Sequence, residues 1–203
     1  MKKKFVLTAV LIAFLFTTFA TVLGVYSEAE PIRESVVRLH IMADSDDDEA
    51  QRIKLQVRNV ILDQTEGVFG SETDPARARE IVQENLPLFE RVANEKLAEL
   101  GAPYTARVSY EPHYFPTRTY GAVSLPAGEY DSLVIRLGSG EGKNWWCVMF
   151  PPLCYDGEEV TAEEESLEIL QQNLEAPEYD LLTGETVVRF KLLEFFGSLF
   201  QGK

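Results

Sequence analysis

The sequence predicts an α+β fold: an antiparallel sheet of about four or five strands with helices packed on it, preceded by an N-terminal signal or membrane-anchor helix. Three observations predict it. Apolar residues recur at every second position in 34–42 and again along 103–150, the period of strands. Between these stretches they recur at helical spacing. The chain opens on three lysines and a long uncharged apolar run.

Lys2, Lys3 and Lys4 precede the apolar run from Phe5 to Tyr26, 22 positions long. A basic start and an apolar stretch form an export signal, whose apolar part is usually roughly 7–15 residues, whereas a span needs about 20. Residues 1–26 are therefore read as a signal peptide or a membrane anchor, 27–33 as a linker and 34–203 as one exported α+β domain. In both readings the lysines stay inside and the rest lies outside the cytoplasm. Contact with a membrane is expected only through the N-terminal helix, if it is uncleaved.

Of 19 Lys and Arg and 33 Asp and Glu, the leader holds three lysines and no acid. Removing it leaves 16 basic against 33 acidic residues, a net charge of −17. No basic stripe is available to neutralise phosphates, which argues against a nucleic-acid partner. Adsorption on an anionic membrane is disfavoured for the same reason. The acidity serves solubility.

Taken in order, "ESVVRLHIM" (34–42) alternates Val37, Leu39 and Ile41 with Arg38 and His40, a half-buried strand. "DSDDDE" then opens a helix, with Ser45 and Asp48 in capping-box positions and carboxylates favouring the positive end of the dipole. The run lacks the glycine and distal glutamate of an EF-hand. Ile53, Val57, Val60 and Ile61 carry the helix to about residue 64. A second helical region, 75–100, buries Phe89, Ala93, Leu97 and Leu100. Pro87 kinks or divides it, and Gly101 ends it. Tyr104, Ala106, Val108 and Tyr110 begin a strand. Further strands cover about 119–124, 129–137 and the segment ending near Phe150, joined by short Gly/Pro turns that imply antiparallel neighbours. Thr161 and Glu164 cap a helix to about Leu174. The apolar segment 185–201 has a single polar stripe, Lys191, Glu194, Ser198 and Gln201, as expected of a helix that is either mostly buried or rests on a partner. Burial is favoured because soluble domains seldom expose so large a patch.

Catalytic motifs fail on spacing. "GSGEGKN" does not give G-x-x-x-x-G-K, and Asn144 stands where magnesium needs Ser or Thr. "LLTGE" (181–185) has Leu182 where an aspartic peptidase has its aspartate. No zinc-peptidase or serine-hydrolase signature occurs. No catalytic, cofactor-binding or metal-binding residue is assigned, and no cofactor is expected.

"GKNWWCVMFPPLC" (142–154) holds every tryptophan and cysteine of the chain. In an exported domain Cys147 and Cys154 are read as a disulfide closing a short loop turned by Pro151 and Pro152, with free buried thiols as the alternative. A competing reading makes Cys147 the nucleophile of a thiol hydrolase with His113 as base. Trp145 and Trp146 face opposite sides of a strand, one expected in the core and the other exposed or covered by a helix. "HYFPTRTYG" (113–121) adds His113, Phe115, Arg118 and Tyr120. With Trp145 and Trp146 these form the expected partner-binding region.

"RLHIMADSDDDEAQRIKLQVRNVIL", "HYFPTRTYGAVSLPAGEYDSLVIRLGSGEGKNWWCVMFPPLC" and "VVRFKLLEFFGSLF" together resemble the stage II sporulation protein R family of endospore-forming bacteria, over about residues 34–200. The resemblance implies a non-enzymatic signal exported from the forespore into the space between the forespore and mother-cell membranes. Its implied partner is a membrane-embedded sporulation aspartic peptidase that cleaves the sigma-E precursor. A cell-wall or membrane-surface binding module is the remaining alternative.

Overall fold

The computed structural model describes residues 8, 10–18, 29–153 and 164–184. Cys154, Thr161 and the expected helix at 185–201 lie outside the described residues. Residues 10–18 are helical, and Val10, Leu11, Ile12, Phe14, Leu15 and Phe16 are all exposed. Among the described residues no helix is long and apolar enough to cross a membrane.

Strand β1 (Val37–Met42) is followed by helices α1 (Asp48–Phe69), α2 (Pro75–Glu84) and α3 (Leu86–Glu99). Strand β2 (Ala106–Phe115), the short strands β3 (Arg118–Tyr120) and β4 (Val123–Leu125), and strands β5 (Gly128–Leu137) and β6 (Asn144–Phe150) come next. Helices α4 (Glu164–Asn173) and α5 (Ala176–Thr183) complete the described part.

The main sheet has the order β2-β5-β1-β6. It is mixed, which corrects the antiparallel expectation: β1 pairs parallel with β5 and antiparallel with β6, while β2 pairs antiparallel with β5. The cause is topological. After three helices β2 returns against the direction of β1 but at the far edge, and β5 folds back from it into the gap, so β5 runs with β1. Alternation along a strand reports which side chains share a face, not which neighbour the strand finds. The strand expected at 119–124 is instead a two-stranded hairpin, β3–β4, broken at Gly121, whose φ of 56° suits its turn.

Helices α1–α3 cover one face. Leu39, Ile41, Ile53, Val57, Phe89, Ala93, Leu97, Leu133, Ile135 and Cys147 make a single apolar cluster there. Asp74 caps α2, its side chain accepting from the Ala76 N–H at 2.8 Å, and Pro87 sits in the first turn of α3, so the proline divides the region into two helices. Asn94 of α3 ties this layer to the edge strand, accepting from the Ala106 N–H at 2.8 Å and donating to the Ala106 carbonyl at 3.2 Å.

The other face is partly roofed by the β3–β4 hairpin, α4, α5 and residues 29–36, through Ile32, Val36, Phe115, Tyr120, Leu125, Tyr130, Val148 and Leu170. This second layer overturns the half-buried reading of β1. Arg38 is 0% and His40 1% exposed. A central strand covered from both sides has no solvent face.

The acidic run and the glycine loop meet. Asp44 Oδ1 accepts from the Ser139 N–H at 2.7 Å, and Asp46 Oδ1 from the Lys143 N–H at 2.7 Å. Asp47, rather than Ser45, caps α1, accepting from the Ala50 N–H at 2.8 Å. These carboxylates hold the β5–β6 turn and start a helix.

Candidate functional site

Cross-strand register places one set of side chains on the second face: Arg107, Ser109, Glu111, His113 and Phe115 from β2; Tyr130, Ser132, Val134 and Arg136 from β5; Arg38, His40 and Met42 from β1; Asn144, Trp146 and Val148 from β6. The half of this face near Phe115 and Tyr130 is buried. The half near Glu111, His113, Arg136 and Trp146 is partly open to solvent.

Arg38 organises the buried half. Its Nε donates to the Cys147 carbonyl and its Nη2 to the Tyr120 hydroxyl, both at 2.8 Å. Tyr120 in turn donates to the Trp146 carbonyl at 3.3 Å. The guanidinium lies over the Phe115 ring at 4.2 Å and the Tyr130 ring at 4.9 Å, so three aromatic rings and two oxygens replace a carboxylate counter-ion. Nη1 has no hydrogen-bond partner among the described residues. Burial lowers the Arg38 pKa, and burial raises that of Tyr130 to about 12.

His40 lies next along β1. Its ring stacks on Trp146 of β6 with centroids 3.8 Å apart, and His113 of β2 stands 4.4 Å away on the same face. Its Nε2 is 2.9 Å from the Asn144 Oδ1, whereas its buried Nδ1 has no partner among the described residues. Burial pushes the His40 pKa down to about 3, against the opposing Asn144 hydrogen bond. Burial also lowers that of His113, with Glu111 opposing. Both imidazoles are thus neutral near pH 7.

Of the expected contact residues, His113, Phe115, Tyr120 and Trp146 come together around Arg38 and His40. They do so unequally. His113 and Trp146 are half-buried, whereas Phe115 is 0% and Tyr120 5% exposed, so these two brace the surface from beneath. Arg118 is exposed on the hairpin, two residues from Tyr120. Trp145 is placed apart, on the helix side, where the Arg58 guanidinium lies 4.4 Å from its ring. Cys147 is buried in the helix-side cluster, on the opposite face from His113, so the two do not form a nucleophile–base pair. Among the described residues no group of His, Cys, Asp or Glu could hold a metal ion.

Arg38, His40, Arg107 and Arg136 were not singled out in the sequence. Arg38 and His40 read as the wet side of an alternating strand, and the signal that marks them is the second buried layer. Arg107 and Arg136 become neighbours only through the β2–β5 register.

Residues 33–160 match the family model described as stage II sporulation protein R. The stage II sporulation protein R of Bacillus subtilis (strain 168) is 37% identical to this chain over 145 residues. The alignment covers 68% of this chain and 65% of that protein, so the chain spans just under two thirds of the relative's length. No solved structure matches. The family model covers more than half of the chain, and the chain belongs to the stage II sporulation protein R family.

Proposed function

We propose that this chain is an exported sporulation signal that binds and activates a membrane-embedded aspartic peptidase, leading to cleavage of the sigma-E precursor in the mother cell. Family membership supports a sporulation role. The observation that carries the finer reading is the shape of the site. His113 and Trp146 sit half-exposed on a rigid stack over buried His40 and Arg38, a presented surface rather than a cleft around a nucleophile. Such a surface acts by binding one state of a receptor better than another.

In this reading His113, Arg118 and Trp146 touch the receptor, and Phe115 and Tyr120 hold them in place. Trp145 lies on the far face and serves the helix packing. A Cys147–Cys154 disulfide would fasten the end of β6. Cys147, the cysteine among the described residues, is not a free thiol, which supports this bond. The leader would deliver the domain to the intermembrane space, as a cleaved or anchored form.

The test adds purified full-length protein to the outer face of membranes carrying the peptidase and the sigma-E precursor. Wild-type protein and a folded Cys147→Ser, Cys154→Ser protein should both support cleavage, the second less well. Arg118→Ala and Trp146→Ala should reduce cleavage about tenfold, the scale of one interface anchor. Full cleavage by folded Arg118→Ala and Trp146→Ala proteins would sink the surface. No cleavage with wild-type protein would sink the function.

A further inference from the structure

Helix α5 stops at Gly184, where the backbone turns extended, and its Leu182 is fully buried in the roof cluster with Phe115, Tyr120 and Leu125. Trp146 and Tyr179 pack against the same cluster from its rim, each only partly buried. Leu181, beside the exit, is 36% exposed. Among the described residues from Ala29 onward, Leu55 and Leu181 are the large apolar side chains left exposed. The described roof therefore ends with apolar surface open where the chain leaves it.

The residues that follow match that surface. Val188, Leu192, Phe195, Phe196, Leu199 and Phe200 recur at the spacing of one helix face, opposite the polar stripe. A helix over 185–201 is about 25 Å long, enough to cross a four-stranded sheet of roughly 15 Å. An apolar face of this size is seldom left in water. Arg189 is the cation that interrupts it. This arginine stands five residues beyond Gly184, and Glu178 stands six before it. Glu178 Oε2 is buried and has no hydrogen-bond partner among the described residues. A chain that reverses after Gly184 brings the two charges level, and a guanidinium satisfies such an oxygen.

We propose that segment 185–201 docks as an amphipathic helix on the roof edge, from Leu181 and Tyr179 to Trp146 and His113, with Arg189 on Glu178. It covers the contact face until a receptor displaces it. The displacement rests on the reading of His113 and Trp146 as receptor contacts; the docking does not. The tether favours this occupant over a second copy or a membrane, because a directly linked segment is present at an effective concentration on the order of millimolar.

The experiment uses full-length protein carrying Trp145→Phe, which leaves Trp146 as the reporting indole, and reads acrylamide quenching of its fluorescence. Adding Phe195→Asp and Leu199→Asp places carboxylates in the docked face and should strengthen quenching about threefold. Adding Glu194→Gln and Ser198→Asn on the polar stripe should leave it unchanged. The Asp protein should also support sigma-E precursor cleavage at about a third of the usual concentration, since its face need not be uncovered first. If the Asp protein does not fold, Glu178→Gln reads the same contact. It should speed tryptic cleavage at Arg189 about fivefold, because proteolysis follows the undocked population.

Equal quenching with and without the Asp substitutions overturns the proposal, as does an equal tryptic rate where the Asp protein does not fold. Shielding of Trp146 that fades on dilution assigns the segment to a second copy and overturns it. Shielding that arises only with phosphatidylglycerol vesicles assigns the segment to a membrane and overturns it too. Greater Trp146 exposure without easier cleavage would keep the docked segment and remove the receptor reading of this face. Unchanged exposure, with normal cleavage by wild-type protein, would do the reverse.

Discussion

The His40 imidazole stacks on the Trp146 indole, with ring centroids 3.8 Å apart and planes 12° from parallel. One ring is buried on the central strand and the other is half-exposed on the edge strand. The stack therefore fixes a surface tryptophan to the centre of the sheet, and its protonation state matters to both.

Stability should fall as the solution is acidified from pH 6.5. Burial lowers the His40 pKa from 6.5 to about 3, so the unfolded chain takes up a proton in this window while the folded chain does not. The stabilisation is complete above 6.5 and is lost progressively toward 3. The slope from His40 approaches about 1.4 kcal/mol per pH unit. Urea midpoints between pH 7 and 4.5 measure it. His40→Phe, which keeps a ring against Trp146, should flatten the curve; an unchanged slope would show that His40 does not cause it.

Arg38→Ala should cost about 3 kcal/mol or more, since it opens a cavity and strips the Cys147 carbonyl and Tyr120 hydroxyl of a donor. Arg38→Met should cost less than Arg38→Ala, because an apolar chain of similar length fills the cavity and removes a buried charge while losing the same donors. Yet it should loosen the β3–β4 hairpin, seen as faster amide exchange at Arg118–Leu125. Equal exchange in Arg38→Met and wild type would mean that packing alone holds the hairpin.

Gly142→Ala should destabilise the protein by about 1–3 kcal/mol. A Cβ there would stand 2.1 Å from the Ser45 backbone oxygen, which has no freedom to withdraw without moving the start of α1. Gly67→Ala is the control, with nothing within 4 Å of the added carbon. It should stabilise the protein slightly through helix propensity. Thermal midpoints of the two variants should move in opposite directions.

Asn94→Ala should cost about 1–3 kcal/mol by leaving the N–H of buried Ala106 unpaired. Asn94→Asp keeps the acceptor and should recover part of the loss. Amide protection at Ala106 reads the effect directly: it should drop in the first variant and return in the second.

Much of the fold was legible along the chain. The 75–100 region was read with its division at Pro87 and its buried Phe89, Ala93 and Leu97, because helix spacing and proline chemistry are local. The strand at 129–137 was read for a similar reason. The candidate site was legible in its parts but not its arrangement. Trp145 and Trp146 were correctly set on opposite sides by strand alternation. Which side was helix-covered depended on the layers. Phe115 and Tyr120, read as contact residues in a loop of mixed aromatic and arginine character, are core residues because distant segments that carry Ile32, Tyr130 and Leu170 pack on them and Arg38 reaches them from β1.

The amino-acid sequence by itself determined the positions of most helices and strands, the acidic balance and the family. Each is written in nearest neighbours, capping residues or composition. Tertiary structure alone decided that β1 runs parallel to β5, that a second layer buries Arg38 and His40, and that Arg107 meets Arg136. These depend on which distant segments pair and on what then covers each face. An alternating strand looks the same whether its polar side meets water or an aromatic roof, and here the roof turns two polar residues into buried supports beneath the half-exposed His113 and Trp146.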